Sequence, residues 1–175
     1  MNTVLRFLPC ELMMAGRCIY RTEDMVLEYE SSAPRSEDVG PPALADVINQ
    51  KFGLERSKEL LLIADTLTLT FSGSDHHLSG FDAYTNKQLW NVSSLPKVPE
   101  IRRQGLLIAE PASFEDDRYS LCSIPKYEIA SNQQWVRVAF SEEISDFHYE
   151  VASNLVVGLK NGMVTDIYLL DVAFL

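Results

Sequence analysis

The stretch 60–71, LLLIADTLTLTF, places the tightest constraint on how this chain folds. From Asp65 onward Leu67, Leu69 and Phe71 alternate with Thr66, Thr68 and Thr70. Successive side chains of a strand point to opposite faces, so the pattern describes a strand with one buried and one wetter side. The preceding run Leu60, Leu61, Leu62, Ile63 and Ala64 is apolar throughout, as expected where a strand is covered on both faces. One central strand over 60–71 is predicted, starting inside the core and emerging from it. Turn formers follow at 72–75, then apolar pieces at 78–84 and 88–92 separated by Thr85, Asn86 and Lys87. Together these read as a three-stranded meander.

Such a strand must bury its apolar face against another element. Residues 42–52 are the expected partner. Pro42 is pre-organised for a first helical turn, Leu44, Val47, Ile48 and Phe52 share one face at helical spacing, and Gly53 stands where a left-handed cap is wanted. Residues 31–40, SSAPRSEDVG, read as an exposed loop. Residues 3–8 and 25–30 are candidate strands able to pair with one another, and 10–20 fits either a short helix or half of a hairpin.

Beyond Trp90, residues 93–103 carry two prolines and the tight basic cluster Lys97, Arg102 and Arg103, the signature of a linker or long surface loop, whose functional reading is a docking loop for an acidic group. Strands are predicted over 105–110 and 134–140, the latter with Val136, Val138 and Phe140 as its better apolar face. Residues 121–129 are interrupted by Pro125, which suits an edge strand. Between the apolar runs 155–159 and 163–170, Asn161 and Gly162 form the strongest hairpin signal, because both accept the positive φ of a primed turn. The predicted class is α+β: a predominantly antiparallel sheet, able to curl toward a barrel, with one main packing helix, in a single globular domain over 1–175.

Fifteen Lys plus Arg against 25 Asp plus Glu give a net charge of −10. That balance opposes phosphate backbones and anionic lipid, so neither nucleic acid nor membrane is an expected partner. No apolar run approaches the roughly 20 residues of a spanning helix, and Pro9 and Glu11 interrupt any secretory core. Cys10, Cys18 and Cys122 show no CxxC spacing. An odd, irregular set suits a reducing compartment, so cytoplasm is the expected location.

Two short stretches resemble β-propeller blades. FDAYTNKQLW within 78–90 looks like the inner-to-outer strand turn of quinoprotein-type blades, and NLVVGLKNGMVTDIYLLD over 154–171 is similar to a blade of the WD-repeat kind. No repeat period runs through the chain, and the resemblance carries no function with it.

The most polar constellation is Asp75, His76 and His77, with His148 and Asp146 as the other histidine and carboxylate pair. Imidazoles plus a carboxylate would make a zinc-type site if the fold joined the two regions. HxH, HExxH and CxxC spacings are all absent, as are GxSxG, GxGxxG and GxxxxGK. Sequence alone therefore does not support an enzyme, and no cofactor is expected. The favoured reading is a non-catalytic protein-binding module of adaptor, chaperone or inhibitor type. It rests on negative charge, missing catalytic motifs and aromatics that suit interfaces as well as cores, among them Tyr20, Tyr29, Tyr84, Trp90, Trp135 and Tyr149. The alternative is a small metal-binding protein or metal-assisted hydrolase using His76, His77 and His148 with Asp75. A weaker one is a small-ligand carrier with a cavity inside a curled sheet. Exposed edges also leave room for pairing with a second copy.

Overall fold

Residues 60–71 form a hairpin, not one strand. In a computed structural model, which describes residues 3–11, 13–31, 58–94 and 97–175, strand β4 (Leu60–Ala64) turns back through Asp65 and Thr66 into β5 (Leu67–Phe71). Asp65 adopts φ 54°, a left-handed conformation that Asp tolerates better than most residues. Leu60 then faces Phe71, Leu62 faces Leu69, and Ala64 faces Leu67. All six are buried on one side of the hairpin.

The hairpin belongs to a seven-stranded sheet ordered β15 (Ala173–Phe174), β2 (Gly16–Arg21), β3 (Val26–Ser31), β6 (Leu78–Tyr84), β5, β4 and β9 (Arg118–Ser120). An eight-stranded sheet is ordered β1 (Leu5–Pro9), β8 (Ile101–Ala109), β12 (Phe147–Ala152), β13 (Leu155–Lys160), β14 (Met163–Leu170), β11 (Trp135–Ala139), β10 (Lys126–Ile129) and β7 (Asn91–Val92). Pairing is antiparallel except for β8 with β12, β7 with β10, β2 with β15 and β4 with β9. Leu62, Leu69 and Phe71 of one sheet and Leu107, Val138, Val157 and Ile167 of the other lie in a single apolar cluster. Each such side chain contributes roughly 1.5–3 kcal/mol on burial. Isolated bridges of His77 with Ile108 and of Met14 with Ala152 stitch the sheets together.

The expected α+β class with a main packing helix is therefore corrected to a mostly antiparallel β fold. Among the described residues there is no helix of seven residues or more, only the three-residue 3-10 turns Lys87–Leu89 and Pro111–Ser113. The buried face of the hairpin meets the second sheet, which does the covering expected of a helix. Residues 42–52, predicted as that helix, lie outside the described residues. Among the described residues no helix is long and apolar enough to cross a membrane.

Other local expectations shift with the topology. The meander is β4, β5 and β6, because the chain after Tyr84 leaves through the 3-10 turn and joins the other sheet as β7. Strands β1 and β3 sit in different sheets, and β3 pairs with β2 instead. Strand β10 lies between β11 and β7 rather than at an edge, since Pro125 precedes it and removes no ladder donor. The β13 to β14 turn is as predicted, with Asn161 at φ 51° and Gly162 at φ 75°. In β11, Val136 and Val138 face the main core, while Trp135 joins a satellite cluster with Val156 and Tyr168. With sheets of eight and seven strands, the blade resemblance does not extend to propeller architecture, whose blades have four.

The crossing from β6 to β7 is pinned by polar contacts inside the core. Trp90 Nε1 donates to Thr85 Oγ1 at 2.8 Å, Tyr20 OH donates to Thr85 O at 3.1 Å, and Lys87 N donates to Tyr20 OH at 3.0 Å. Trp90 packs edge-on to Tyr20 at 4.9 Å. Thr85→Val keeps the shape and orphans the buried indole N–H, an expected loss of about 2 kcal/mol. The melting midpoint by circular dichroism should fall by about 4–8 °C, and an unchanged midpoint would show that Thr85 does not hold the crossing.

Candidate functional site

The histidine turn is built by its own backbone. Ser72 N donates to His77 O at 2.8 Å and His76 N to Ser72 O at 3.0 Å, with His76 at φ 59°. His77 Nδ1 lies 2.6 Å from Asp75 Oδ1. The turn leans on β8, where Ala109 N donates to His76 O at 2.9 Å. His148 is engaged elsewhere: its Nε2 donates to Asp166 Oδ1 at 3.1 Å. Asp146, the expected neighbour, instead gives its backbone N–H to Leu159 O at 3.0 Å. The fold thus makes two separate His and Asp pairs, and among the described residues no group of three His, Cys, Asp or Glu side chains is placed to hold a metal ion.

Asp166 anchors a polar network on the outer face of the eight-stranded sheet. Ser145 Oγ donates to its Oδ1 at 2.9 Å and Arg137 Nε to its Oδ2 at 3.1 Å, while Arg137 NH1 reaches Glu128 Oε2 at 3.2 Å. Burial works to raise the Asp166 carboxyl, but the His148 and Ser145 hydrogen bonds and the Arg137 charge outweigh it and hold it below the usual carboxylate range. Asp166, at its centre, is buried, and His148 packs edge-on to Tyr168. This is a strand-locking network.

The basic cluster has a different setting. Arg102 and Arg103 lie on β8, not in a loop, and Lys97 lies in the exposed approach to that strand. Consecutive strand residues ordinarily point to opposite faces, yet both arginines line one open groove of about 450 Å³. The strand is irregular at this point. Between β12 and β8, His148 is paired with Ile101 but Tyr149 with Arg103, so Arg102 is the extra residue. Such bulges re-aim side chains and favour functional sites.

The far wall is β1, held close by two glycines. A Cβ on Gly105 would overlap Leu8 O and lie 2.9 Å from the Phe7 ring, and one on Gly162 would overlap the Thr3 methyl. Phe7 therefore settles over β8 and stacks on Tyr149, ring centres 3.9 Å apart and 18° from parallel. Arg6 joins Arg102 and Arg103 on the rim. Arg6 Nε pairs with Glu110 at 2.8 Å; Arg102 lies over the Phe147 ring, 3.8 Å from its centre; Arg103 and Lys97 meet no carboxylate among the described residues. Sequence pattern singled out Arg102 and Arg103, but Arg6, Phe7 and Tyr149 become neighbours only through β1–β8–β12 pairing and leave no local signal.

Further depressions open on the surface of the described residues. One of about 780 Å³ is lined by Glu115, Asp116 and Arg118; one of about 420 Å³ by Leu121, Phe140, Lys160 and Met163. Between the sheets, where a carrier's cavity was expected, Leu69, Phe71, Val138 and Ile167 pack together. Neither any protein-family model nor any curated protein matches this sequence.

Proposed function

We propose that this chain is a non-catalytic protein-binding module that takes an acidic segment of a partner into the groove of Arg6, Arg102 and Arg103. The observation that carries the reading is local charge against global charge. A chain of net charge −10 gathers three arginines around one aromatic-floored groove, and neither Arg102 nor Arg103 is neutralised by a carboxylate among the described residues. At physiological salt a charge is felt over only about 8 Å, so the groove presents its own positive field despite the acidic remainder. Arginine and aromatic side chains are also the residues that dominate interface energetics.

Fluorescence anisotropy with a labelled Glu- and Asp-rich dodecapeptide tests this directly. Binding should be saturable at low salt, weaken as salt rises, and fall by at least about tenfold in the Arg102→Glu/Arg103→Glu double variant. Both positions are exposed, so the variant should fold with an unchanged melting midpoint. Equal peptide binding by the folded double variant would exclude the groove.

A further inference from the structure

Resting on that reading, we infer that the group the groove selects is a phosphomonoester on a peptide, phosphoserine or phosphothreonine, in preference to a run of Asp and Glu. Among the described residues the cations on its rim are all arginine. A guanidinium presents a rigid fork of donors matched to tetrahedral oxyanions, whereas a lysine offers a point charge.

The settings of the individual arginines fit the same ligand. Arg102 Cζ lies 3.8 Å from the centre of the Phe147 ring, a cation–π contact that consumes none of the five guanidinium N–H donors an acceptor needs. Arg103, which lines the same groove, adds a second fork with no carboxylate partner among the described residues. Arg6 is held by Glu110, a single carboxylate of charge −1. A phosphomonoester carries about −1.5 to −2 and three acceptor oxygens, so it can occupy two forks and still compete for the third. A side-chain carboxylate, with two oxygens, satisfies one fork. The stacked Phe7 and Tyr149 rings give the flanking peptide an apolar floor, which free phosphate does not use.

The test compares three nonapeptide libraries differing at the central position alone: phosphoserine, serine or glutamate, each titrated into the full chain by anisotropy. Phosphoserine peptides should bind at least about tenfold tighter than the glutamate set, and serine peptides not measurably. Millimolar inorganic phosphate should compete, and Arg103→Lys should erase most of the preference while Arg118→Lys, outside the groove, leaves it intact. Glutamate peptides binding as tightly as phosphoserine peptides would overturn the phosphate inference and leave the protein-binding reading standing. Failure of all three libraries, with the protein instead recruited to phosphatidylserine vesicles or to nothing, would overturn both.

Discussion

Gly158→Ala should destabilise the protein by about 3–4 kcal/mol, although it adds one methyl group to a strand. Gly158 sits on β13 directly between His148 of β12 and Asp166 of β14. The side chains of both neighbours lean across the position that its missing Cβ leaves open. A Cβ there would overlap Asp166 Oδ1 and Ser145 Oγ and stand 2.9 Å from His148 Nε2. None of these atoms is the loose end of a flexible chain. Asp166 is fixed by His148, Ser145 and Arg137 together, so relief requires breaking the network or parting the strands. Overpacking alone costs about 1–3 kcal/mol, and the disturbed buried ion pair adds to it. Gly80→Ala is the matched control: its Cβ would meet Thr70 Cβ at 3.5 Å, ordinary contact, with an expected change within about 1 kcal/mol. Urea unfolding of both variants measures the difference, and similar midpoints for the two would refute the wedge at Gly158.

What the sequence disclosed and what it hid follow from the range over which each signal acts. The Asn161 and Gly162 turn was legible because positive φ is a property of single residues. Strand β11 was legible because its period of two puts Val136 and Val138 on the same side whatever they pack against. The hairpin in 60–71 was misread, yet a signal exists: the buried set runs Leu60, Leu62, Ala64 and then Leu67, Leu69, Phe71, a switch from even to odd positions that a single strand cannot make. The apolar Leu61 and Ile63 masked it. Assigning the covering layer to a helix failed for a related reason, since a sheet face records only that it is buried and not what buries it. The groove was half legible. Adjacent arginines stand out in an acidic chain, but the groove they line and the bulge beside them belong to the pairing of β8 with its neighbours. The Asp166 network had a signal too. A lone acid inside the apolar run 163–170 must be paired if that run is a buried strand, and this points to Arg137, the one cation of the neighbouring strand β11.

Asp166→Asn should cost about 3 kcal/mol at pH 7, and the cost should shrink in acid. The substitution keeps the size of the side chain but exchanges a charged acceptor for an amide whose N–H2 opposes the donors of Arg137 or His148. Arg137 retains Glu128 at 3.2 Å, which keeps the loss below that of an abandoned buried charge. The pH dependence has a definite sign. The Asp166 carboxyl is depressed in the folded protein, by the His148 and Ser145 hydrogen bonds and the Arg137 charge acting against burial. Its stabilisation is therefore complete above the unfolded carboxyl value of about 3.9 and is lost as pH falls through the lower folded value. Parent and variant should differ fully at pH 6–7 and converge below about pH 4, because a protonated Asp166 offers Arg137 little more than the amide does. A gap that stays constant down to pH 3 would mean that the side chain's shape, not its charge, holds the strands. The double variant Asp166→Leu/Arg137→Leu separates these further. Removing both charges from a buried pair frees the fold from their desolvation cost, so it should recover part of the stability that Asp166→Leu alone loses, and only if the two residues act as a pair.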